Sequence, residues 1–180
     1  MARPREFDRA TALHRAMEAF WEHGGFDRTS ISQLTAAMGI SSPSLYAAFG
    51  GKRGLFDESV ARYAERPTVP VAQAITAPTA REFLRRTLEL AVDEYTSIEH
   101  PLGCLINADP LLADRRNEGR AVIVDRLKAA DELPASADPD ALAEFLVVLL
   151  NGLAARARDG VPRDQLRAVA DIALRAWPEG

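Results

Sequence analysis

Only one cysteine, Cys104, occurs in the 180 residues, so an intramolecular disulfide framework is excluded. A chain of this length buries roughly 70% of its unfolded surface and needs no such staple. A single thiol suits a reducing cytosol. Long apolar runs are also missing. The longest block, Phe145 to Leu150, falls well short of the roughly 18 residues that cross a bilayer. The start, Met-Ala-Arg-Pro-Arg-Glu-Phe-Asp-Arg, is charged and is expected not to be a secretory signal. Histidine is scarce, at His14, His23 and His100. No Gly-rich phosphate loop and no nucleophile elbow are present, which disfavours an enzyme. No metal is expected either. His100 and Cys104 are four apart, but Pro101 and Gly103 interrupt the helix that would align them. Strand signals are absent: the nearest, Thr68 to Val71, contains Pro70.

What is present is helix after helix, with 47% apolar and 27% charged residues. The net charge of −4 argues, as an average, against a nucleic-acid partner. The average hides a split. Residues 1–66 hold nine basic and eight acidic residues, and the remaining 114 hold thirteen and eighteen. The front is therefore near neutral and opens with Arg3, Arg5 and Arg9, while the rest carries the acid.

Helical spacing predicts a first helix from Asp8 to His23, closed by Gly24-Gly25. Ser30 and Gln33 fit a capping box for a second, with Ile31, Leu34 and Met38 on its apolar face. Gly39 ends it. A third starts near Ser42, with Pro43 in its first turn, and carries Leu45, Tyr46 and Phe49. A fourth runs from Lys52 to about Glu65. Residues 66–78 hold three prolines and read as a linker. Beyond it, helices are expected from Thr79 past Tyr95, around Cys104–Ala108, from Asp109-Pro110 to about Glu132, over Asp140–Asp159, and over Arg163–Trp177. Two short helices joined through Gly39-Ile40-Ser41 have helix-turn-helix spacing. Gly39 supplies a positive φ, and the second helix begins with its N–H groups facing outward.

The run Thr29-Ser30-Ile31, Leu34, Ala37, Met38-Gly39-Ile40-Ser41, Leu45-Tyr46, Phe49 and Lys52 resembles the N-terminal domain of the TetR/AcrR transcriptional regulators. The motif spans Gly25 to Val60; the remainder matches in helical content and length. The resemblance implies an all-α protein. Residues 1–53 would form a three-helix DNA-binding domain, and residues 54–180 a larger body for effector binding and dimerisation. It further implies a bacterial, cytoplasmic, nucleoid-associated regulator. This would be a repressor that binds a palindromic operator as a homodimer and is released by a small effector, with no cofactor and no membrane partner.

By position, Ser42, Pro43, Ser44 and Tyr46 of the recognition helix would face DNA. Lys52 would contact phosphate, Ser32 would reach DNA from the second helix, and Arg3 and Arg5 would form an arm. Ala48 and Pro43 depart from the residues most common there, His and Gly or Ala. In the second body, Phe83, Tyr95, Cys104, Asn107, Leu111, Phe145 and Leu149 are candidates for an effector pocket. Leu146, Leu150, Leu153, Leu174 and Trp177, on the two last helices, are candidates for the dimer interface. A helical protein–protein adaptor without DNA binding is the alternative.

Overall fold

A computed structural model describes residues 7–66 and 69–177. Every regular element among them is helical. The chain divides into two compact units, Met1–Arg66 and Pro67–Gly180. Arg3 and Arg5 lie outside the described residues.

The first unit holds α1 (Arg9–His23), α2 (Ile31–Met38), α3 (Ser42–Phe49) and α4 (Lys52–Ala64). Local chemistry sets each start. The Asp8 carboxylate accepts from the amides of Ala10 and Thr11 at the head of α1. The Thr11 hydroxyl and both amides hold that carboxyl below its ordinary range. Ser30 and Gln33 complete the capping box of α2. Ser41 caps α3 by accepting from the Ser44 amide. Between α2 and α3, Gly39 adopts φ +69°, which L side chains rarely take.

Packing sets the rest. Phe20 of α1 meets Phe56 of α4 edge-on, with ring centroids 4.9 Å apart. Trp21 and Tyr63 repeat that contact at 5.0 Å. Leu34, Leu45 and Leu55 bring α2, α3 and α4 into the same core, all fully buried. The first unit thus extends past Arg53 to Arg66, because Leu55, Phe56, Val60 and Tyr63 are core residues of this unit. The start of α4 runs so close to the end of α3 that a Cβ at Gly54 would lie 2.1 Å from the Phe49 carbonyl oxygen.

The second unit holds α5 (Pro70–Ala74), α6 (Ala80–Tyr95), α7 (Leu105–Ala108), a 3-10 turn at Pro110–Leu112, α8 (Ala113–Lys128), α9 (Pro139–Arg158) and α10 (Arg163–Arg175). The short α5 lies where a linker was expected, because Pro70 occupies its first turn, where a missing N–H does no harm. Helix α6 packs against α5, α9 and α10, and α8 packs against α9. Its apolar face, Phe83, Leu84, Leu88, Ala91 and Val92, is fully buried. Ion pairs brace the flanks. Arg120 of α8 binds Asp140 and Glu144 of α9 at 3.2 and 2.8 Å. Arg163 and Arg167 of α10 share Asp93 of α6 at 2.7 and 2.8 Å. On α6 itself, Arg85 and Arg86 hold the Glu82 carboxyl down to about 2.

Gly54→Ala is expected to destabilise the first unit by about 1–3 kcal/mol, since a backbone carbonyl must move to admit the methyl. Urea unfolding followed by circular dichroism measures it. Unchanged stability would show that α3 and α4 separate freely.

Candidate nucleic-acid interface

The buried face of α3 is Leu45 and Phe49; Ser42, Pro43, Tyr46 and Ala47 form the opposite, exposed face. The hydrophobic pair thereby fixes which side chains look outward. Tyr46 is 55% exposed. Its ring lies over Gly51, with Cε1 3.2 Å from where a Cβ would stand. Lys52 follows directly as the first residue of α4, whose start no side chain caps. Tyr46, Lys52 and the first N–H groups of α4 therefore share one edge. A phenol, an ammonium and a helix N-terminus together suit a phosphate.

Ser32 is exposed on α2, beside Gln33, Ala36 and Ala37. Ser44 is different. It is half-buried, its amide donates to the Ser41 hydroxyl, and the two hydroxyls lie 2.9 Å apart. Its hydroxyl is paired with that of Ser41, the residue that caps α3, which lowers its availability to a base edge.

Two residues that the sequence did not single out organise this edge. The Arg9 guanidinium, on α1, donates from Nη2 to both Glu58 oxygens at 2.7 and 2.8 Å. The same nitrogen donates to the Ala48 carbonyl at 3.3 Å, and the group stacks 4.4 Å from the Phe49 ring centroid. Arg9 thus ties α1 to the end of α3 and to α4. Phe26, in the loop after α1, lies under Lys52 with the ammonium 4.2 Å from its ring centroid. Both contacts join residues far apart in the chain, so no local pattern announced them.

The candidate pocket residues differ in burial. Phe83, Tyr95 and Cys104 are buried, whereas Asn107, Phe145 and Leu149 are half-buried. Burial pushes the Tyr95 hydroxyl well above its ordinary value, with the nearby Cys104 and Glu94 adding to it. Arg158 of α9 donates to the Cys104 carbonyl at 3.1 Å. Leu111 is a correction. It is 49% exposed, because the 3-10 turn points Leu112 inward instead. A shallow cleft of about 180 Å³ is lined by Thr79, Arg81, Glu82, Arg85 and Leu174, none of them an expected pocket residue.

The expected interface residues also need correction. Leu146, Leu150, Leu153 and Trp177 are buried within their own chain, so they are not free to meet a partner; Leu174 is half-buried. The apolar surface left open is Val148, Gly152 and Ala155 on α9 with Val169 and Ile172 on α10.

Known proteins place this architecture. Residues 12–59 match the family model for bacterial regulatory proteins of the tetR family. The chain is 33% identical to the HTH-type transcriptional repressor ComR of Escherichia coli K12, over 98% of this chain and 92% of that protein. It is 30% identical to the repressor BdcR of the same organism, over 97% and 91%. Among solved structures, it superposes with a TM-score of 0.89 on a cysteine-substituted CifR, a TetR family transcriptional regulator complexed with 26-bp double-strand operator DNA. That pair is 42% identical and covers 98% of this chain and all of the other. The protein belongs to the TetR family of DNA-binding transcriptional regulators, which are not enzymes. No helix among the described residues is long and apolar enough to cross a membrane.

Arg9→Ala is expected to cost about 1 kcal/mol of stability, from one exposed ion pair and one cation–π contact. It should weaken DNA binding without changing the salt dependence, because Glu58 already neutralises that charge. Anisotropy titrations over a salt series test this; a shallower salt slope would make Arg9 a direct phosphate contact.

Proposed function

We propose that this regulator represses transcription by binding a palindromic operator as a homodimer, with α3 in the major groove, and that a small effector releases it. The carrying observation is the exposed edge of α3 and α4, where Tyr46 and Lys52 adjoin an uncapped helix start. Ser42 and Pro43 lead into the groove, Ser32 flanks it, and Ser44 stands behind them with its hydroxyl paired to that of Ser41. Arg3 and Arg5 would extend the grip into the minor groove. The relatives' names support repression, and the CifR complex supports operator binding.

A second copy is the partner we assign to the open stripe on α9 and α10. Val148 and Ile172 are 60% and 58% exposed there, among small residues that let helices approach. A four-helix bundle from two copies would cover them. An effector site in the second unit is supported by one polar atom. The Thr87 hydroxyl, on the same helix as Phe83 and Tyr95, is fully buried with no hydrogen-bond partner. A small ligand with a polar group would satisfy it. Such a protein would act in the bacterial cytoplasm, at the nucleoid.

The test is a mobility shift on DNA beside its own gene. Tyr46→Ala with Lys52→Ala should abolish the specific shift, while Lys52→Ala alone should lower the salt slope by about 1 per subunit. Wild-type protein that gives no specific shift would reject the reading. Separately, Val148→Asp with Ile172→Asp should yield a folded monomer by sedimentation. A dimer that persists would place the interface elsewhere.

A further inference from the structure

Three cations lie near the reading edge, and two of them are neutralised. Arg9 is bound by Glu58, and Arg53 is bound by Asp57 at 3.0 and 3.1 Å. Among the described residues Lys52 pairs with no carboxylate; its ammonium lies 4.2 Å from the Phe26 ring centroid. An aromatic face attracts a cation within about 6 Å through its quadrupole. Unlike a carboxylate, it carries no net charge. The ammonium is therefore held in place while its charge stays available to a phosphate on the open side.

The ring is itself fixed. Phe26 packs on Phe56 with centroids 5.3 Å apart, and Phe56 is fully buried in the core of the first unit. A lysine on a bare surface loses side-chain freedom when it grips an anion. Here part of that ordering is already present in the free protein.

We infer that Phe26 is a positioning residue for DNA binding: its ring pre-orients the Lys52 ammonium for the operator backbone without neutralising it. This rests on the reading of Lys52 as a phosphate contact. The Arg53 guanidinium lies farther from the same ring, at 5.9 Å, and is held by Asp57, so Phe26 acts chiefly through Lys52.

The experiment replaces Phe26 with mono-, di- and trifluorophenylalanine in the full-length protein. Fluorination drains the ring quadrupole while keeping ring shape, so the contact with Phe56 persists. Affinity for a duplex from beside the protein's own gene should fall stepwise, by about two- to five-fold per subunit at trifluorination. The same series in a Lys52→Ala background should be flat. A flat series with Lys52 present would overturn the inference, as would an equal decline without Lys52. Lys52→Ala that leaves both affinity and salt slope unchanged would reject the phosphate reading itself. Phe26→Leu adds a control: it should weaken binding in the Lys52 protein and leave the Lys52→Ala protein unaffected, with unfolding midpoints recorded beside both.

Discussion

The spacing between α3 and α4 is set by the Phe49 carbonyl, which leaves no room for a side chain at Gly54. The chain reverses through Gly50 and Gly51 within that spacing, and the Gly50 amide donates back to the Tyr46 carbonyl at 3.0 Å. Helix α4 must then begin beside Tyr46. Lys52 inherits its place from this backbone contact, since it is the first helical residue after the reversal. Behind the turn, the buried rings of Phe20 and Phe56 hold α1 against α4. The edge formed by Tyr46 and Lys52 is thus a consequence of core packing, carried outward by one tight turn.

Electrostatics follow from the same geometry. The first 66 residues are close to neutral, so affinity cannot come from bulk positive charge. It must come from where the charge stands. Glu58 and Asp57 engage Arg9 and Arg53, which turns those cations into braces. Lys52 sits on an uncharged ring instead. On the proposed reading, the described residues offer the Lys52 ammonium, a phenol and helix N-termini, a small set of contacts, and few contacts mean weak non-specific binding. In the proposed homodimer, selectivity would then depend on pairing two copies at a fixed spacing.

The helix-turn-helix was legible because its signals are local. Ser30 with Gln33 bonds amides within one turn, Gly39 takes the expected positive φ and Pro43 sits in the first turn of α3, each as its local pattern indicated. Ser44 was expected only as a DNA-facing position; in the structure its hydroxyl also lies 2.9 Å from that of Ser41, a pairing that position-matching does not announce. Pro70 was read as a breaker, although proline also begins helices, and α5 starts there. Arg9 with Glu58, and Lys52 with Phe26, gave no signal, because periodicity within one helix says nothing of which loop or helix it will meet.

Helix α9 shows the same limit in its sharpest form. Its apolar residues cover more than one face, and spacing alone cannot say which face turns inward. The larger side chains, Leu146, Leu150 and Leu153, fill the space between α9 and its neighbours within the chain. What remains outside, Val148, Gly152 and Ala155, is smaller and follows helical spacing. A stripe of small residues gains little from burial by itself, yet it lets another helix come close enough for many weak contacts. The bulk must then come from across the gap. Ile172 and Val169 of α10 are exposed on this unit and large enough to supply it, so in the proposed homodimer a second copy would bring both the small stripe and the side chains that fill it.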